Sequence, residues 1–142
     1  MFIALRPFFV DHTDCPGQLA LHVARVPFEL THLAQLNEFD ASSANFEPAV
    51  PNSTNEILAA LDESVSTAAN YLDALTPEAA GANWRLTLRG SEVFTIPRGG
   101  LLRSLLFNHW YHHRGQLSVY LRLLDVPVPV IYGRSADENP FA

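Results

Sequence analysis

A chain of 142 residues can bury one continuous core without disulfide staples, and an apolar fraction of 48% supplies the side chains for it. Fifteen acidic against nine basic residues give a net charge of −6, with the arginines spread along the chain, which removes the electrostatic footprint of a nucleic-acid binder. The single cysteine, Cys15, excludes an internal disulfide, and no run approaches the ~18 apolar residues of a membrane span. Met1 to Val10 is apolar, but Arg6 and Pro7 interrupt it and it has neither a basic start nor a cleavage site. The expected compartment is therefore the cytoplasm, and the expected organisation one domain over residues 1–142.

Residues 1 to 15 read as irregular, because Pro7 and the polar run Asp11 to Asp14 prevent a long helix, and their aromatic side chains are expected to cover apolar surface. Nothing near Cys15 in sequence would lower its pKa, so it reads as a small packing residue. From Gly17 to about Leu36, Leu19, Val23, Val26, Leu30 and Leu33 keep a helical period, with Pro16 just ahead of the start. His22 falls about 60° from the centre of that stripe, on the inward face, while His32 points outward. Pro27 removes the bond from its own nitrogen to the Val23 carbonyl and predicts a bend one turn after His22.

Asn37 to Thr54, with Pro48 and Pro51 and no periodicity, reads as a long surface connection with room for a short helical turn. Ser53 followed three residues on by Glu56 makes a capping box, after which Ile57, Leu61, Val65, Ala68, Leu72 and Leu75 form the clearest amphipathic stripe in the chain. That helix ends before Pro77. A brief turn at Pro77 to Ala80 leads into Trp84 to Ile96, where the period changes to alternation: Trp84, Leu86 and Leu88 before Arg89-Gly90-Ser91, Phe94 and Ile96 after it. A two-stranded hairpin fits, packed on the helices through the Trp84 and Phe94 side.

The last helix, Leu101 to Leu124, carries the chemistry. With His109 as zero on a 3.6-residue wheel, Leu102, Leu105, Leu106, His113, Gln116, Tyr120 and Leu124 all lie within roughly 60° of it, so His109 and His113 point into the core. A buried imidazole must have both ring nitrogens satisfied. Two histidines at i and i+4 can share a metal, as in H-E-x-x-H sites, but Trp110 stands where such a peptidase carries its general base. Bonding of the rings to carbonyls or to each other explains the same spacing. His112, at the margin of the face, competes with His113 as a partner of His109. Gln116 is placed to orient a ligand or a bound water, although solvation explains it as well, and Tyr120 reads first as packing. Arg114 faces about 140° away and is expected to pair with a carboxylate or the tail. Beyond Val126, Pro127 and Pro129 impose an extended surface segment that closes in a turn-rich stretch, Tyr132 to Glu138.

Three separated stretches resemble the DinB-like family of helical metalloproteins, with its YfiT-type bacillithiol transferase relatives. They are Gly17-Gln18-Leu19-Ala20-Leu21-His22-Val23-Ala24, the block Asn108-His109…His113-Arg114-Gly115-Gln116, and Val128-Pro129…Ile131-Tyr132-Gly133…Ser135-Ala136-Asp137-Glu138. The resemblance implies a mainly all-α fold, an up-and-down four-helix bundle with one long crossover, to which this chain adds a small β-hairpin. It also implies a divalent metal, zinc or nickel, held by His22, His109 and His113. The family's long first helix is expected to be shortened or missing here, because only 15 residues precede Pro16, and a misassigned start would give the same sequence. A bundle of three long helices leaves an apolar face for the N-terminal segment or a second chain, and a homodimer is the expectation.

Three neutral imidazoles would leave a position on the ion for water or an anion. The resemblance then implies a metal-dependent thiol S-transferase acting on a low-molecular-weight thiol and an electrophilic small molecule. A metal-dependent hydrolase and a non-catalytic metal-binding stress or interaction protein are the alternatives. Neither a nucleic acid nor a membrane is an expected partner, and no residue can be named as general base.

Overall fold

The structure is a computed structural model and describes residues 16–45, 47 and 49–141. The readings of the N-terminal segment, of Cys15 and of the first bundle helix fall on residues outside these. The elements run α1 (Pro16–Gln35), β1 (Glu38–Asp40), a 3₁₀ turn (Ala41–Ser43), α2 (Thr54–Asp73), α3 (Pro77–Gly81), β2 (Asn83–Leu88), β3 (Ser91–Pro97), α4 (Arg98–Leu101), a π-helical segment (Leu102–Asn108) and α5 (His109–Leu123). The fold is mainly helical with a small sheet, as expected, and no described helix is long and apolar enough to cross a membrane.

α1 is the central element. It packs along α2 on one side and along the π segment and α5 on the other, burying Leu19, Leu21, Ala24, Val26 and Ala34. α1 and α2 run parallel, since Ser64 meets Arg25 and Phe28 while Tyr71 meets Ala34. Parallel neighbours cannot be joined by a tight turn, which accounts for the long crossover from 36 to 53.

Ser53 caps α2 by accepting from the Glu56 amide at 3.2 Å, whereas the Glu56 carboxylate accepts from the Asn52 backbone and side chain at 2.8 and 3.1 Å. The capping box is thus half formed, and those bonds from Asn52 hold the Glu56 carboxyl below its ordinary range. The α2 stripe holds as expected at Ile57, Leu61, Ala68, Leu72 and Leu75, and departs at one position. Val65 is 43% exposed and Ser64 is buried in its place. Ser64 can go inside because its Oγ accepts from the Phe28 amide at 2.8 Å and donates to the Arg25 carbonyl at 3.4 Å.

The expected hairpin is present, but it belongs to a three-stranded sheet of order β1-β2-β3, with β1 parallel to β2 and β2 antiparallel to β3. β1 comes out of the stretch expected as a surface connection with a short helical turn, and the turn itself is the 3₁₀ segment Ala41–Ser43. The three residues of β1 show no alternation, and what holds them is pairing with β2 together with Asp40. The Asp40 carboxylate accepts from the Ser42 hydroxyl and the amides of Ser42, Arg89 and Gly90, which ties β1 to the hairpin turn. Arg89 and Gly90 both have positive φ, 51° and 77°, as a two-residue hairpin loop requires.

A bulge at Leu86/Thr87 reverses the inward phase of β2. Trp84, Leu86 and Thr87 are buried and Leu88 is 38% exposed, which corrects the expected placement of Leu88. Trp84 is fully buried, its ring 6.2 Å from Phe94, and its Nε1 donates to the Leu33 carbonyl at 3.2 Å. The sheet therefore closes the end of the core where α1 finishes.

Arg98 locks the same end. It is buried without a carboxylate partner among the described residues. Its Nε donates to the Ala34 carbonyl at 2.6 Å, Nη1 to Ala79 at 2.7 Å, and Nη2 to the Leu36 carbonyl at 3.2 Å and Asn37 Oδ1 at 3.0 Å. Two of these are carbonyls at the C-terminus of α1, the negative end of the helix dipole, where a cation is stabilised. A cavity of about 280 Å³ beside it is lined by Gln35, Tyr71, Ala74, Leu75, Ala79 and Arg98.

Candidate metal centre

His22 stands two turns into α1, and His109 and His113 open α5. The three side chains converge, with one ring nitrogen from each lying within 4.8 Å of the others. His22 Nε2 is 3.1 Å from His109 Nε2. The rings meet edge to face: the His22 and His109 centroids are 5.3 Å apart at 85°, His22 and His113 4.5 Å at 89°, and His109 and His113 4.3 Å at 75°. His113 is buried at 3% exposure, while His22 and His109 are half-buried, so the group opens on one side.

The donor set fits a divalent ion. Two imidazole nitrogens sharing zinc at about 2.05 Å stand about 2.9 to 3.4 Å apart for angles between about 90° and 110°, and the observed 3.1 Å falls inside that range. His113 Nδ1 lies 2.7 Å from Gln116 Oε1, one turn on. With the proton on Nδ1, donated to Gln116, His113 presents Nε2 as a lone pair, the form in which imidazole ligates. The functional reading of Gln116 thus has a contact behind it.

Other candidates do not join the group. His112 is exposed and outside the convergent set, although its ring lies 5.0 Å from that of His113. His32 is exposed and stacks on Phe28. Tyr120 and Leu124 are 38% and 59% exposed, so the inward face drawn on a uniform wheel does not run the length of α5. Arg114 meets the tail as expected: its guanidinium lies 5.0 Å from the Tyr111 ring and 4.9 Å from Tyr132, and it donates to the Tyr132 hydroxyl.

The tail is itself tied down. Asp137 accepts from the Val128 amide at 3.0 Å and pairs with Arg122 at 2.9 Å, and Glu138 accepts from the Val130 amide at 2.8 Å. These bonds engage the amides on either side of Pro129, which has none to give.

A model of the DinB family matches residues 17–139. The chain belongs to the DinB family. No curated protein and no solved structure gives a match. Within this DinB member the site combines the three resembling stretches: the first supplies His22, the second His109, His113 and Gln116, and the third the clasp that returns to Arg114.

Sequence reasoning missed two features next to the site. The seven residues Leu102–Asn108 form a π helix, whose wider i→i+5 turns end directly at His109. Every residue there is an ordinary helix or core residue, so nothing in the pattern separates π from α. The other is Trp110, whose indole Nε1 donates to the Val23 carbonyl at 2.9 Å. Its signal was present in Pro27, which predicts an orphaned carbonyl at Val23 but does not say what satisfies it.

Proposed function

We propose that this DinB protein holds one divalent metal ion, zinc or nickel, through His22, His109 and His113, and uses it as a thiol S-transferase. The observation that carries this reading is the convergence of one nitrogen from each of three imidazoles, two of them 3.1 Å apart, at a place open on one side. A divalent ion with an open position would lower the pKa of a thiol or water bound there. The chain's own residues supply the rest. Gln116 fixes the His113 ring, the packing of α1 on α5 brings the histidines of the two helices together, and the partial exposure of His22 and His109 admits a small thiol and an electrophile.

In the transfer, the thiol proton leaves to solvent and the sulfur forms a bond to an electrophilic carbon as the carbon–halogen bond breaks. Thiol activation is preferred to water activation because, among the described residues, the convergent group contains three histidines and no carboxylate to act as a base. That same feature favours a second reading, a metal-binding protein without turnover.

The apolar side chains left exposed, Leu58 and Val65 on α2 with Val119, Tyr120 and Leu123 on α5 and Leu124 at its C-cap, support a homodimer. The net charge of −6 argues against a nucleic-acid partner, and a cytoplasmic single-domain protein remains the reading of the sequence.

Zinc-loaded protein incubated with a low-molecular-weight thiol and a chlorinated aromatic electrophile tests the assignment by mass spectrometry of the conjugate. Conjugation that disappears in His22→Ala and His109→Ala is the expected result. Stoichiometric metal with no conjugation above the uncatalysed rate across several thiols would overturn transfer in favour of the non-catalytic reading.

A further inference from the structure

α1 carries a proline in its interior, one turn after His22, and a helix of this length gains nothing locally from it: the ring removes an N–H and crowds the carbonyl four residues back. That carbonyl belongs to Val23, the neighbour of His22. The donor that reaches it is the indole Nε1 of Trp110, the neighbour of His109, at 2.9 Å. One hydrogen bond therefore joins the two helices that carry the histidines, one residue away from a member of the group on each side. The same stretch of α1 is held from the other flank. Ser64 of α2 bonds the Phe28 amide and the Arg25 carbonyl, and Thr31 Oγ1 donates back to the Pro27 carbonyl at 2.7 Å.

We infer that Pro27 and Trp110 act together as a positioning device: Pro27 exposes the Val23 carbonyl, Trp110 docks on it, and that bond sets the His22 to His109 separation at a metal-binding distance. Pro27 and Trp110 are positioning residues, since neither belongs to the convergent group. The inference rests on the metal reading proposed above. It accounts for three observations together: a costly proline, a tryptophan in the slot between two histidines, and an Nε2 to Nε2 distance of 3.1 Å across separate helices. Ordinary apolar packing of α1 on α5 would need none of them.

Trp110→Phe keeps the aromatic ring and removes the N–H, while Pro27→Ala returns an N–H to the Val23 carbonyl. Wild type, the two single variants and the double variant are compared by urea unfolding of the metal-free protein and by zinc affinity in competition with a chelator, at a temperature where all four are folded. The expected result is that Trp110→Phe weakens zinc binding about tenfold. Its effect on the unfolding midpoint is expected to be smaller in the Pro27→Ala background than in the wild-type one, because the orphaned carbonyl then has a donor.

Equal zinc affinity for wild type and Trp110→Phe would overturn the positioning role, and identical midpoint shifts in the two backgrounds would overturn the link to Pro27. Wild type that takes up no zinc would instead overturn the metal reading itself, and the metal-free unfolding cycle still reads the link to Pro27 in that case. Should Trp110→Phe fail to fold, Pro27→Ala alone carries the test: an N–H restored to the Val23 carbonyl competes with the indole, which is expected to weaken zinc binding, and unchanged affinity contradicts the device.

Discussion

Near Ala34, α1 finishes against a buried guanidinium; near His22, about 18 Å back along the same helix, it meets two imidazoles. Both places put polar side chains inside an apolar packing, and they satisfy them differently. Arg98 spends its donors on four fixed oxygens, three of them backbone carbonyls, and its charge faces the negative end of α1. Nothing further is asked of it. The histidines converge nitrogen to nitrogen, and where two Nε2 atoms stand 3.1 Å apart only one of them can carry a proton toward the other. A guanidinium surrounded by carbonyls is complete as a structural part, whereas a cluster of imidazole nitrogens can serve as a donor set for an ion.

The largest effect that separates the two ends is expected from Arg98→Ala. It leaves the carbonyls of Ala34, Leu36 and Ala79 without their buried donor and should cost about 3 kcal/mol or more, read by urea unfolding. The fraction that stays folded should bind zinc as wild type does. A matching loss of metal affinity would show that the two ends are not separable.

Gln116→Leu is the reverse case. Removing the acceptor from His113 Nδ1 should weaken zinc binding by about 10- to 100-fold while changing stability by about 1 kcal/mol at most. Gln116→Glu, which still accepts, should restore the affinity.

A smaller effect belongs to Asp40, on the sheet side of the molecule. Its carboxyl is held well below the ordinary value of 3.8, first by the Ser42 hydroxyl and then by the amides of Ser42, Gly90 and Arg89. A depressed folded-state value means that the stabilisation is present above the unfolded value and is lost as pH falls through the folded one. Asp40→Ala should therefore unfold at a lower temperature than wild type at pH 7, the gap closing as pH falls below 3.8. Zinc binding at pH 7 should be unaffected. A gap that widened in acid would contradict the bonding pattern.

The smallest expected change is a gain. Arg89 holds a left-handed conformation at φ 51°, which Asn adopts at less cost, so Arg89→Asn should add about 0.5 kcal/mol in thermal unfolding.

How much of this was legible in the sequence follows the same division. His22, His109 and His113 could be placed on inward faces from local periodicity, although the π-helical turns before His109 and the exposed end of α5 show that the 3.6-residue repeat does not hold along that whole helix. The carbonyl that Pro27 leaves without its helical donor, that of Val23, was legible for the same local reason. Features that depend on a partner distant in sequence were not. β1 is three residues held by β2 and by the Asp40 bonds to a turn about 50 positions away. Leu88 was misplaced because the bulge that flips its side comes from pairing with β3. Val65 and Ser64 exchanged places because Ser64 answers polar groups on α1 that the α2 stripe could not reveal. Trp110 was read only as the absence of a catalytic glutamate, since its partner carbonyl lies 87 residues away.

The most direct test of the central claim is the metal content of untagged protein, purified without chelator, measured by inductively coupled plasma mass spectrometry beside His22→Ala and His109→Ala. About one zinc or nickel per chain, lost in both variants, is the predicted result, because a single site is built from two helices. Protein without metal, or variants that retain as much as wild type, would contradict it and leave the three histidines as packing residues of the bundle.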